Sequence, residues 1–282
     1  MTNNSCVVII LTFNSEEIIL QTVEQALKIS PEIFIVDSGS SDKTLEIIRN
    51  LGCTYVHKEF INYSKQRNWA IQKMAHHKWQ LHLDADEVLD PVAISAIRNV
   101  ISGHGENNAY MIKRRDYFMG KMLRYSGLNP WHLRLFRSEA AVCEDRLYDQ
   151  HFVTQTKVGR LNGFMHDKNS LSISQWIGRH NRWSDLEAIE IYEAKGNPSA
   201  SNLNPKAFGD PRERTRFQKN TYYKFPALIR VLMYFIYRYF ICLGFLDGVV
   251  GFYFIFFQAL WFRMVVDVKI EELKKFRLNV IK

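Results

Sequence analysis

Cysteine is sparse in this 282-residue chain, and its four copies, Cys6, Cys53, Cys143 and Cys242, are far apart in sequence. No two have the spacing of a zinc ligand set or a redox pair. A disulfide framework is therefore not expected, and a reducing cytosol fits this usage best. Seven prolines and 14 glycines are too few for a low-complexity or fibrous protein. No Lys or Arg precedes the first apolar run, 6–11, which is also shorter than the about 7–15 residues of an export-signal core, so no export signal is expected. No internal repeat is visible. The chain lacks the three-glycine dinucleotide fingerprint, and no Gly-Lys-Ser/Thr phosphate loop occurs, which argues against a nicotinamide enzyme and an ordinary P-loop ATPase. His132, His151, His166 and His180 show no metal-ligand spacing; His180 and Trp183 read as helix packing.

What is present is ordinary globular composition, 47% apolar and 23% charged, with 13% aromatic residues crowded toward one end. Lys and Arg number 37 against 29 acids, a net charge of +8 that asks for phosphate groups, nucleic acid or an anionic membrane as partner. The first hundred residues alternate. Short apolar runs at 7–11, 33–36, 53–56 and 79–83 predict strands. Helical spacing predicts helices over 16–29, 44–51, 64–77 and from Asp90-Pro91 to about 102. This alternation means βαβ units and a parallel sheet, whose ligands sit beyond the carboxyl ends of the strands. Three predicted strands end there in polar clusters: Thr12 and Asn14, Asp37 to Ser40, and Asp84 to Asp86. In an extended chain Asp84 and Asp86 face one side. Such a pair suits a hard cation that also takes phosphate oxygens, although Asp-x-Asp is also a common exposed turn.

These residues resemble the family 2 glycosyltransferases of the GT-A fold. The resemblance rests on Thr12-Phe13-Asn14, Val36-Asp37-Ser38-Gly39-Ser40-x-Asp42-x-Thr44, Gln66-Arg67-Asn68 and Leu83-Asp84-Ala85-Asp86, in order across residues 5–100. His132-Leu133-Arg134-Leu135-Phe136-Arg137 and Gly244-Phe245-Leu246-Asp247-Gly248 are similar to the subgroup of lipopolysaccharide-core β-glucosyltransferases and exopolysaccharide enzymes. No Gln-x-x-Arg-Trp segment of the processive synthases occurs. The resemblance implies a Rossmann-like α/β domain with a mostly parallel central sheet. It implies that Thr12 and Asn14 line the nucleotide pocket and that Asp37 accepts a hydrogen bond from the base, usually uracil. Ser40 and Asp42 would shape the pocket, and Arg67 would approach the nucleotide. Asp84 would contact ribose or sugar, and Asp86, with Asp84 beside it, would hold Mg²⁺ or Mn²⁺ on the diphosphate. The implied donor is a nucleotide-sugar, a UDP-sugar above all.

Inverting transfer needs a carboxylate base for the acceptor hydroxyl. The candidates are Asp145, Asp149 and Glu144, since the chain departs from the subgroup's Val-His-Glu pattern ahead of Val158-Gly159-Arg160-Leu161. Arg134 and Arg137 are candidates for diphosphate or anionic acceptor groups. Residues 171–195 read as one long helix. Residues 206–238 hold eight Lys or Arg against two acids, most of the chain's excess charge, and the aromatic run 239–262 follows at once. That run is long enough to span a bilayer, which takes about 20 residues. Asp247 interrupts it, so a helical pair lying in the membrane interface is expected, with a spanning helix and a buried dimer interface as alternatives.

The expected organisation is a catalytic domain at 1–195, a linker at 196–216 rich in helix breakers, and a membrane-associated helical region at 217–282. Within the domain, 1–103 binds the donor and 104–195 the acceptor. The expected function is metal-dependent, inverting transfer of a sugar to a glycan or lipid-linked acceptor of cell-surface polysaccharide or lipopolysaccharide. The setting is the cytoplasmic face of the inner membrane, where the protein is peripheral or monotopic. A nucleotidyltransferase and a non-catalytic membrane scaffold are the alternatives. No nucleic-acid partner is expected, because the basic charge abuts a lipid-like segment.

Overall fold

The structure, a computed structural model, describes residues 5–128, 130–168, 171–194 and 205–280. Strands and helices alternate at first: β1 (Cys6–Thr12), α1 (Ile19–Leu27), β2 (Ile33–Asp37), α2 (Thr44–Asn50), β3 (Tyr55–His57), α3 (Tyr63–Lys73), β4 (Trp79–Asp84), β5 (Glu87–Leu89) and α4 (Pro91–Asn99). Then come β6 (Ala109–Phe118), β7 (Lys121–Met122), β8 (Trp131–Arg137), β9 (Val142–Cys143), β10 (Phe152–Val153) and β11 (Val158–Asp167). Helices follow: α5 (Ile173–Ala194), α6 (Pro211–Tyr222), α7 (Ala227–Ile236), α8 (Gly248–Ile255) and α9 (Phe262–Val280).

The main sheet runs β3-β2-β1-β4-β8-β6-β11-β5, with β7 paired to the end of β6. Its first half is parallel, as the βαβ pattern demands; β8 joins β4 and β6 antiparallel, and β6 pairs β11 in parallel. Every residue of β1 is buried. That follows from its central place, with helices over both faces: Ile19, Val23 and Ala26 of α1 join one core cluster, and Ala70 of α3 joins the other. The parallel register sets Thr12 beside Asp37 and Leu11 beside Asp84, so three polar strand ends share one edge.

The chain divides into two compact units. The first comprises residues 1–116, 129–144 and 151–170; the second comprises 117–128, 145–150 and 171–282. The long helix expected at 171–195 is α5, and it groups with the carboxyl-terminal helices. Of the linker expected at 196–216, residues 196–204 lie outside the described residues. Its last part is helical instead of broken, because Pro211 stands at the start of α6, where its missing N–H is harmless. Asp210 and Glu213 form a reciprocal capping box there.

In the second unit the polar groups of the aromatic region turn inward. Asp247 accepts hydrogen bonds from Tyr125 N (2.9 Å), Ser126 N (2.8 Å) and Ser126 Oγ (2.6 Å). Arg238 is buried and donates to Ser126 O, and Arg230 pairs with Asp267. Leu228, Ile229, Leu232, Met233, Ile236, Phe240, Ile241 and Val249 are exposed instead. Gly244–Lys275 is a continuous helical stretch long and apolar enough to cross a membrane by length and composition.

Candidate active site

The loops after β1 and β2 are laced together. Asn14, at a left-handed φ of 47°, donates its N–H to Ser40 Oγ at 2.9 Å, and its Oδ1 accepts from Ser41 N at 2.8 Å. Ser40 Oγ donates onward to Asp37 Oδ1 at 2.5 Å. Asp37 Oδ2 accepts from Gly39 N (2.8 Å) and Ser40 N (3.0 Å). The turn this makes needs φ of 98° at Gly39, which only glycine adopts easily. Asp42 ties the same two loops, accepting from Glu16 N at 3.1 Å and Thr44 N at 3.0 Å. Burial pushes the Asp42 carboxyl up, but the Thr44 hydroxyl and these N–H bonds outweigh it and hold the group below the usual carboxylate range. Thr12 Oγ1, at the end of β1, is buried without a hydrogen-bond partner among the described residues. Thr12, Asn14, Asp37, Ser40 and Asp42 thus come together as one edge. Both Asp37 oxygens, expected for the base, serve the loop itself.

The end of β4 carries a charge cluster. Arg67 of α3 donates to Asp84 Oδ1 at 2.6 Å, and Arg134 of β8 reaches Asp84 Oδ2 at 3.1 Å. Arg134 also bonds the buried Glu87, whose Oε2 accepts from Asp84 N at 2.9 Å. Burial pushes Asp84 up, yet Arg67, Arg134 and Arg114 together hold it below the usual range. Glu87 ends above its ordinary value, because its burial and the Asp84 charge exceed the pull of Arg134. Burial and the guanidinium groups of Arg114 and Arg134 keep His132 neutral far below its ordinary pKa. Arg67 Nη1 and Arg134 Nε are buried without a partner among the described residues. Arg137, by contrast, lies over the Trp79 ring at 4.9 Å. Glu87 and Arg114 were not singled out in the sequence. An acid one residue past Asp86, on a strand buried throughout, is the signal that points to a needed cation.

Asp86 stands in the turn after β4, half-buried, with its backbone O accepting from Lys168 N at 2.9 Å. Among the described residues no group of three or more His, Cys, Asp or Glu is gathered to hold a metal ion by itself. The donor set at this strand end is a carboxylate in a turn beside a second one clamped by guanidinium groups. It fits an ion that takes most of its ligands from diphosphate and water.

Of the three carboxylates expected on the acceptor side, Glu144 is 1% exposed; its Oε1 accepts from His151 N at 3.0 Å and its own N–H donates to His151 O at 3.0 Å. It belongs to the first unit, whereas Asp145 and Asp149 belong to the second. Asp145 is exposed, and Asp149 is half-buried.

A parallel half-sheet with polar loops and a carboxylate cluster at its carboxyl edge defines an α/β protein of the GT-A type. The sequence model of glycosyl transferase family 2 matches residues 7–157, over half of the chain, and the chain belongs to that family. A glycosyltransferase of Rickettsia typhi is 26% identical over 194 residues, covering 64% of this chain and 66% of that protein, so the chain spans just under two thirds of that relative's length. The lipopolysaccharide core biosynthesis glycosyltransferase LpsC of Rhizobium meliloti is 24% identical over 198 residues, 65% of this chain and 71% of LpsC. Among solved structures, S. aureus TarS 1–349 in complex with UDP-GlcNAc shows a TM-score of 0.41 at 12% identity, covering 93% of this chain and 90% of that one.

Proposed function

We propose that the protein transfers a sugar, with inversion, from a UDP-sugar to a lipid-linked or oligosaccharide acceptor in lipopolysaccharide or related cell-surface polysaccharide synthesis. The observation that carries the reading is Asp84 held between Arg67 and Arg134 at the strand end of a family 2 chain. The laced loops with Thr12, Asn14, Asp37, Ser40 and Asp42 form the nucleoside side. Arg67 and Arg134 fix Asp84 toward ribose or sugar. Asp86, with Asp84, would hold Mg²⁺ or Mn²⁺ on the diphosphate; when bound, such an ion supplies Lewis-acid stabilisation of the leaving group. The acceptor hydroxyl attacks the anomeric carbon as the bond to UDP breaks, and a carboxylate takes its proton. Asp149 or Asp145 suits that role better than Glu144, whose carboxylate is buried on its own loop.

The outward apolar face of α7 and α8 supports placement at the cytoplasmic membrane surface. A stretch, 227–255, that turns Arg230, Arg238 and Asp247 inward and Leu, Ile and Phe outward is suited to an apolar medium. The lipopolysaccharide relative gives such attachment a purpose, since lipid-borne acceptors sit there.

Titration of the full chain with UDP-glucose, UDP-galactose and UDP-N-acetylglucosamine in the presence of Mn²⁺ tests the reading by release of UDP. Asp86→Ala should reduce that release by about 10²-fold or more while the thermal transition persists. No UDP release and no UDP binding, or full release from Asp86→Ala, would overturn it.

A further inference from the structure

Residues 145–150 are a short loop held by an unusual number of side chains. Asp149 has a left-handed φ of 57°. A non-glycine residue keeps that conformation only when its surroundings over-determine it. Lys219 of α6 places its Nζ 3.5 Å from Asp149 Oδ2 and 2.7 Å from Glu187 Oε1 on α5. Arg146 Nε donates to Glu190 Oε1, also on α5, at 2.5 Å. Tyr148 packs against Trp183 and Phe262, with Lys219 over its ring at 5.3 Å. Gln150 closes the loop on Arg146 O at 2.7 Å. Glu187 is fully buried, but it also pairs with Arg263 at 2.9 Å. Lys219 is therefore not its sole counterion, and its remaining bond goes to the loop.

We infer that Lys219 is a positioning residue: by bridging Glu187 to Asp149 it fixes the loop that carries the candidate base onto α5 and α6. Sugar transfer then depends on these helices, while UDP binding does not. The inference rests on the base assignment to Asp149 within the function proposed above. A lysine with a purely structural role would change stability without separating turnover from nucleotide affinity.

The test uses the full chain as Lys219→Met, Lys219→Arg and Glu190→Gln. Turnover is measured with the same three UDP-sugars and Mn²⁺, water serving as acceptor. A water oxygen bonds to the anomeric carbon, the bond to UDP breaks, UDP leaves, and the water proton goes to the base. UDP affinity is measured by calorimetry, and trypsin cleavage after Arg146 reports release of the loop. Lys219→Met should lower kcat about tenfold or more with UDP affinity changed less than about twofold, and Lys219→Arg should restore most of it. Cleavage after Arg146 should quicken in Lys219→Met and, through its own contact, in Glu190→Gln. Unchanged turnover and cleavage in Lys219→Met would overturn the inference, as would a parallel loss of UDP affinity. Should Lys219→Met fail to fold, Lys219→Gln decides by the same two readouts. A parent chain that binds no UDP and releases none defeats the proposed function instead; the trypsin comparison then settles whether Lys219 holds the loop.

Discussion

Asp37, read as a ligand contact, also serves as a scaffold once its partners are counted. Its carboxylate takes two backbone N–H groups and the Ser40 hydroxyl, all from its own turn. Asp37→Ala should lower stability by about 1–3 kcal/mol, the range for losing hydrogen bonds to a charged acceptor. It should weaken UDP binding as well, because the loop that presents Ser40 and Asn14 loses its anchor. Thermal unfolding and calorimetry on the same preparation check both; an unchanged melting temperature with lost affinity would return Asp37 to a direct contact with the base. The residue types of this edge were legible because polar groups at the ends of apolar strands stand out. The clamp around Asp84 was legible only in part. Arg67 and Arg134 were candidates, but Arg114 comes into it on a strand whose antiparallel pairing no local pattern encodes.

The elements of the parallel half follow the predicted order because β1 and β4 are buried on both faces and α1 and α4 each carry one apolar stripe. The later strands are harder to read, since antiparallel pairing across long separations leaves no period to find. One such junction carries a prediction. Asp90 caps α4 by accepting from Ala93 N at 2.7 Å and also accepts from Phe164 N of β11 at 3.0 Å. The backbone of β11 approaches this closely because Gly163 has φ of 88° and no Cβ; an added one would meet Ala93 N at 2.2 Å. Gly163→Ala should therefore destabilise the protein by roughly 2–4 kcal/mol, from left-handed strain plus the clash. A denaturant midpoint within error of the parent would contradict this. Helix α5 gives a pH signature. His180 stacks on Trp176 with ring centroids 3.4 Å apart, and its Nδ1 is 2.9 Å from Trp176 O. Burial pulls its pKa from an ordinary 6.5 down to about 4. The unfolded chain therefore takes the proton first: the contribution is full above pH 6.5, is lost as pH falls toward 4, and amounts to roughly 3 kcal/mol at most. Unfolding measured from pH 7.5 to 4.5 should show this loss, and His180→Gln should flatten it.

For the whole chain, the sequence pattern shows where the basic and aromatic carboxyl end begins but hides which way its polar groups face. Eight cations near an apolar run suggest a charged lipid-facing surface. Yet Arg212, Arg216 and Arg238 are buried and Arg230 is ion-paired. Contacts from Ser126 and Asp267, distant in sequence, decide this for Arg238 and Arg230. The same inward network bears on a cut before Lys206, which at first sight should free a soluble catalytic core. Such a cut removes Lys219, Tyr223 and Arg263, the partners of Glu187, which is 0% exposed on α5. In the intact chain burial pushes that carboxyl up, and Arg263 and Lys219 bring it below the usual range. Stranding a buried acid costs about 3–5 kcal/mol. The cut also strips Ala188 of α5 from Phe262, Val266 and Ile270. The truncated chain should therefore be insoluble or unfold without a cooperative transition, even though every donor-site candidate lies before residue 138. Restoring solubility should require removing α5 as well or replacing Glu187 and its apolar neighbours together. A monodisperse product of the single cut that melts cooperatively and binds UDP as the full chain does would show that the helices after Lys206 are dispensable to the rest.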